Sequence, residues 1–93
     1  HLPYLLSSAL AYATTEDAAP LVGPGFRSSA RLAGTPSSMM LGVILSNADN
    51  VLASISRFRQ SLDVIESTLL DENKEALKTT LDNARNRYQN IAV

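Results

Sequence analysis

Apolar residues recur along this chain at helical spacing, and the recurrence fails at three breaker-rich or polar stretches. Leu2, Leu5, Leu6, Ala9, Leu10 and Ala13 follow at steps of three, one, three, one and three, which marks one face of an α-helix. Pro3 falls in the first turn of that helix, where its missing N–H is harmless. In a helix entering from upstream the same residue would cause a kink. From residue 14 to 25 the pattern stops at Pro20, Gly23, Pro24 and Gly25, the strongest backbone breakers in the chain. Leu21, Val22 and Phe26 predict that this loop is packed down rather than free. A short helix is expected over residues 26–33, with Phe26, Ala30 and Ala33 on one side.

Thr35 and Pro36 then read as a helix entry, the threonine capping and the proline in the first helical position. Met39, Met40, Val43, Ile44 and Leu45 make the following helix strongly apolar. Gly42 inside it costs about 1 kcal/mol relative to alanine, which a close helix contact or ligand approach would explain. Residues 47–50 are polar and predict a break or bend. Beyond them Val51, Leu52, Ile55, Phe58, Leu62, Ile65 and Leu69 give the best amphipathic pattern in the chain. It predicts a helix over Ala48–Leu70, with Arg59 and Asp63 as an i,i+4 pair worth about 0.2–0.5 kcal/mol. After a polar turn at 71–74, Ala76, Leu77, Leu81, Ala84, Tyr88 and Ile91 predict a last helix. Its acids lie early and its arginines late, complementing the helix dipole. The short connection makes the last two helices an antiparallel hairpin, with Phe58 and Tyr88 on core faces.

No strand pattern survives, so the expected class is all-α, a single domain over residues 1–93. The hairpin alone is too thin to bury two apolar faces. A homodimer with helix-on-helix packing across a two-fold axis is therefore expected, against the alternative of a compact monomer. Hydrophobic residues make up 45% of the 93, which argues against disorder. A formal net charge of −1 lacks the basic footprint of a nucleic-acid binder. Cysteine is absent and histidine occurs once, which removes disulfides and thiolate or histidine-rich metal sites. No apolar run approaches the ~20 residues of a membrane span, and no signal peptide is visible. The start at His1, without methionine and already helical by Leu2, predicts a piece of a longer protein.

The chemistry concentrates in Gly25-Phe26-Arg27-Ser28-Ser29-Ala30-Arg31-Leu32-Ala33. Two arginines four residues apart, beside glycine-freed backbone amides, suit an anionic ligand. Gly25 reads as a turn needing positive φ or close ligand approach. For Arg31 two readings stand open: a bidentate carboxylate ligand, or a surface cation neutralised by Glu16 or Asp17.

His1-Leu2-Pro3, the glycine turn with Gly25-Phe26-Arg27, then Arg31-Leu32-Ala33 and a Pro-Ser-Ser-Met helix resemble the C-terminal domain of prephenate and arogenate dehydrogenases. The resemblance runs in order over essentially the whole chain, and Asn47 falls at the family's expected asparagine. It implies a helical dimerisation domain like the C-terminal domain of 6-phosphogluconate dehydrogenase, with a long C-terminal hairpin. It implies, for the complete enzyme, oxidative decarboxylation of prephenate or arogenate on the route to tyrosine. NAD or NADP would be held by an N-terminal Rossmann domain outside this chain, which has no Gly-x-Gly-x-x-Gly turn. The family's catalytic histidine also lies upstream, so no catalytic, cofactor or metal residue is expected here and the isolated piece should be inactive. A cytoplasmic homodimer is implied.

By the same resemblance Arg31 would bind a substrate carboxylate, and His1, Tyr4, Gly25 and Met40 would stand near the substrate. Three positions depart from the family pattern. Tyr4 replaces a frequent second histidine and cannot carry its charge. Ser28 replaces the usual aspartate after Arg27, an arginine expected at a domain or subunit contact. Met40 stands where many members have tryptophan and lacks the indole donor. Packing readings stay open for Tyr4, Met39 and Met40, and fraying for His1. The rival reading of the whole chain is a stand-alone dimeric helical interaction module without ligand.

Overall fold

The computed structural model describes residues 1–92, without the side chain of Leu21. Every regular element among them is helical. Five α-helices, α1 (Leu2–Ala13), α2 (Pro24–Ala30), α3 (Ser37–Ser46), α4 (Ala48–Leu70) and α5 (Lys74–Ile91), alternate with two 3₁₀ segments, Glu16–Leu21 and Arg31–Gly34. The all-helical expectation holds. The chain divides into two compact units, His1–Ile55 and the residues from Ser56 onward, with α4 running through the division.

In the first unit α1 starts on Pro3, as its position predicts. It ends at Thr14, which turns extended at ψ 122° while its N–H and hydroxyl both bond the Leu10 carbonyl, at 3.1 and 2.8 Å. The breaker-rich stretch is more ordered than a loop: Glu16–Leu21 winds as a 3₁₀ helix that includes Pro20. The packing expected of the Leu21 side chain lies outside the described residues, and Val22 and Phe26 are half-buried.

The short helix begins earlier than the apolar spacing suggests. Pro24 opens α2 in its first turn, and beyond Ala30 the chain tightens into the 3₁₀ segment. That tightening leaves late α2 carbonyls short of helical partners. Ser7 of α1 supplies one, its buried hydroxyl donating to the Ser29 carbonyl at 2.7 Å. α1 packs on both α2 and the Arg31–Gly34 segment. A small serine allows the close approach and carries its own hydrogen bond into it.

Two local expectations need correction. Thr35 does not cap α3: it terminates the preceding 3₁₀ segment, and the helix starts at Ser37 with Pro36 as its extended cap at ψ 134°. Gly25 has no positive φ. It lies inside α2, where Pro24 has already set a helical start, and a Cβ there would meet nothing within 4 Å. Gly42 is equally unhindered, so no close approach within the described chain explains it.

The predicted break between the two apolar helices falls on one residue, Asn47. Its N–H donates to the Ile44 carbonyl at 3.2 Å and closes α3, while its own carbonyl accepts from Val51 at 3.0 Å and opens α4. The helices meet there at 96°. α4 then covers Ala48–Leu70, the range its periodicity predicts.

In the second unit α4 stops by a Schellman arrangement. Asn73 N–H bonds the Thr68 carbonyl at 2.9 Å and Glu72 N–H bonds the Leu69 carbonyl at 3.2 Å, satisfying carbonyls the helix leaves open. Glu72 takes the left-handed position with φ 52°, where glycine is usual. Asn73 also starts α5, its side chain accepting from the Ala76 N–H at 3.0 Å. One asparagine thus ends one arm and begins the next. Val64 and Ile65 of α4 line one groove together with Thr80, Ala84, Arg87 and Tyr88 of α5.

The arms bury little. Phe58 and Tyr88, expected on core faces, are exposed, Tyr88 at 69%. The ion pair expected between Arg59 and Asp63 does not close among the described residues. An i,i+4 pair forms on α5 instead, Lys78 to Asp82 at 2.8 Å. Asp82 holds the Lys78 ammonium above its ordinary pKa, chiefly through that hydrogen bond.

Candidate functional site

The first unit contains a cavity of about 190 Å³ where the start of α1 meets the α3–α4 break. His1 and Pro3 form one side; Asn47, Asn50 and Ser54 form the other, with Val51 between them. Val51 is the most deeply buried apolar side chain among the described residues, at 7% exposure. It gives the cavity an apolar floor under a polar rim.

The rim follows from local folding. Asn47, Asn50 and Ser54 are spaced three and four apart, so they share one face at the start of α4. Asn50 Nδ2 donates to Asn47 Oδ1 at 2.8 Å, which fixes both amides against each other. That bond leaves the Asn47 amide N–H groups and the Asn50 amide oxygen for another partner. Together with the His1 imidazole the rim offers polar groups suited to hydroxyl, carbonyl or carboxylate oxygens.

His1 and Asn47, named from opposite ends of this unit's sequence, therefore come together. Arg31 does not line this cavity. It is an exposed residue at the start of the second 3₁₀ segment, and it makes no ion pair with Glu16 or Asp17 among the described residues. Its guanidinium is not committed to either acid. Tyr4 is half-buried on α1 one turn beyond His1, Met40 is half-buried in the first turn of α3, and Gly25 is exposed in α2. None of these three lines the cavity. Arg27 is exposed on α2.

Asn50 and Ser54 escaped the sequence reading. The signal was present in the polar i, i+3, i+7 stripe that starts at Asn47, but a stripe of that kind is usually a solvated helix face. Only the return of α1 to the break turns it into a wall.

A dinucleotide does not fit the residues present. Among the described residues no strand leads into a glycine-rich turn, the arrangement that cradles a pyrophosphate. No group of three or more His, Cys, Asp or Glu residues among them is placed to hold a metal ion. No single helix among them is long and apolar enough to cross a membrane.

No curated protein and no solved structure matches the chain. A family model described as prephenate dehydrogenase, dimerization domain, matches residues 1–83. That span takes in the His1 segment, both arginines, the Asn47 break, all of α4 and more than half of α5. With its all-helical build and the sequence features already given, the chain belongs to the prephenate dehydrogenase dimerisation-domain family.

Proposed function

We propose that this chain is the subunit-joining domain of an NAD(P)-dependent prephenate or arogenate dehydrogenase, and that it forms one wall of the substrate pocket in a homodimer. The observation that carries the reading is an unburied apolar surface in a member of a dimerisation family. Leu45, Leu52, Leu62, Leu69, Leu81 and Tyr88 each stand at 50% exposure or more. A chain that is 45% hydrophobic gains little from folding if such side chains stay wet, since burial of a leucine is worth about 1.5–3 kcal/mol. A second copy supplies the missing cover.

The substrate role rests on chemistry the exposed residues offer. Arg31 presents a permanently charged planar fork without an acidic partner among the described residues, as a carboxylate ligand requires. His1 and Asn47 border the cavity that opens at the α3–α4 break. Tyr4, Gly25 and Met40 complete the proposed substrate wall at a greater remove. Hydride transfer to the nicotinamide and loss of the ring carboxylate as CO₂ belong to the complete enzyme, whose dinucleotide domain lies outside this sequence. This chain's part is to hold a ring dicarboxylic acid in position. As a metabolic enzyme it would work in the cytoplasm.

The test is kinetic. In the complete enzyme Arg31→Ala should raise the KM for the substrate by roughly 10–100-fold, the loss of one charge-assisted pair, while the protein stays dimeric. Unchanged kinetics would remove Arg31 from the site. Assays with prephenate and arogenate, each with NAD and NADP, identify the reaction.

A further inference from the structure

Arg31 and the cavity at the α3–α4 break occupy different parts of the first unit, and α1 reaches both. His1, at its start, borders the cavity. The same helix packs on α2 and on the 3₁₀ segment that Arg31 opens. Ser7 ties the second of these contacts. It is buried, at 5% exposure, and its hydroxyl donates to the Ser29 carbonyl at 2.7 Å. Helical serines and threonines usually bond a carbonyl of their own preceding turn, as Ser61 and Thr80 do with Arg57 and Ala76. Ser7 instead reaches a residue 22 positions away.

The place of that bond gives it a consequence for Arg31. Ser29 is the last residue but one of α2, and Arg31 follows two positions later. Ala30 between them leaves regular α geometry, at φ −96° and ψ −1°, so the winding changes immediately before the arginine. A chain that changes winding loses part of its regular hydrogen-bond ladder. The Arg31 guanidinium has no ion pair among the described residues to aim it. Its direction therefore depends on its backbone, and the Ser7 hydroxyl anchors that backbone to α1.

We propose that Ser7 is a positioning residue for substrate binding. By holding the Ser29 carbonyl it fixes the segment that presents Arg31 against the helix that carries His1, and so sets where the guanidinium meets the substrate carboxylate. The inference rests on the substrate reading of Arg31 above and adds a residue that touches no ligand. A bidentate pair tolerates little misplacement, and a long side chain magnifies a small rotation at its base. Loosening this anchor acts on binding, because the chemical step belongs to groups outside this chain.

A double-mutant cycle tests this in the complete enzyme, assayed with prephenate and with arogenate well below the unfolding midpoint. The four proteins are wild type, Ser7→Ala, Arg31→Ala and the double variant. Ser7→Ala should raise KM about three- to tenfold and leave kcat within about twofold of wild type. In the Arg31→Ala background the same change should lower kcat/KM by less than about 1.5-fold, because the side chain it positions is gone. Ser7→Cys fills similar space with a weak donor and gives the same direction of change should the alanine variant not fold. If Ser7→Ala lowers the unfolding midpoint and leaves KM unchanged, the serine serves packing alone and the proposal fails with Arg31 still in the site. If it raises KM equally in both backgrounds, its effect does not pass through Arg31 and the proposal fails. Wild-type kinetics in Arg31→Ala would sink the substrate reading and this proposal with it.

Discussion

The two units solve the problem of a small core in different ways. The first ties its pieces together from within. Ser7 reaches across to the Ser29 carbonyl, Asn47 serves two helices at once, and Val51 is buried beneath a polar rim. The second is well made locally and leaves its apolar side chains uncovered, as the first also does at Met39, Leu45 and Leu52. Its turn has a Schellman stop and a side-chain cap, yet Leu81 is half exposed and Tyr88 more so. Good backbone termination defines where a helix ends; it does not supply the apolar partner on which helix stability chiefly depends. A region with well-terminated helices and incomplete burial is the place where a second copy would add most.

The largest effect that would break this contrast comes from the exposed face. Leu81→Glu changes a half-exposed residue, so in a self-sufficient monomer it would cost little. At a dimer contact it should weaken association by about 2–4 kcal/mol, the scale of an interface anchor, measurable by sedimentation. In the first unit, Ser7→Ala removes a buried hydroxyl and strands the Ser29 carbonyl. A loss of about 1–3 kcal/mol in denaturant unfolding is expected, with dimer affinity unchanged.

The hairpin turn gives two opposed effects of similar size. Asn73→Ala deletes the cap of α5 and should cost about 1 kcal/mol. Glu72→Gly places the preferred residue at φ 52° and should stabilise the turn by about 1 kcal/mol, the relief of a left-handed non-glycine residue. Both are read as shifts in the unfolding midpoint.

The smallest effect is that of the Lys78–Asp82 pair. Both side chains are well exposed, and pairs of this kind contribute little. The Lys78 pKa is raised in the folded state, so its contribution is complete below the unfolded lysine value and disappears as pH rises through the higher folded one. Lys78→Met should therefore leave stability near pH 7 almost unchanged, and any difference from wild type should vanish only in strongly alkaline solution.

Much of this architecture was legible in the chain before its fold was seen. The range of α4 followed from its apolar periodicity, and the break at Asn47 from a polar interruption between two apolar runs. The 3₁₀ segments were not, because Pro20 reads as a breaker although a tight helical turn accepts it. Thr35 looked like a cap because threonine before proline so often is one, while here the backbone is still finishing the preceding segment. Gly25 suggested an unusual backbone and proved an ordinary helical residue.

The lining of the cavity at the α3–α4 break was legible in part for a physical reason. His1 and Asn47 could be named from a family resemblance, but the spacing of residues in sequence says nothing of the return of α1 to the α3–α4 break. Asn50 and Ser54 depend on that return. Periodicity also marks which faces are apolar without saying what covers them. Phe58 and Tyr88 carry the spacing of core residues and remain exposed in the single chain.

The central claim is that a second copy completes this domain. It is tested most directly by following helix content during denaturant unfolding over a thousandfold range of protein concentration. If two copies share one core, the midpoint should rise steadily with concentration, as mass action requires of a folding unit that includes its partner. A midpoint independent of concentration, with a single copy fully helical in sedimentation at the lowest concentration, would contradict the account.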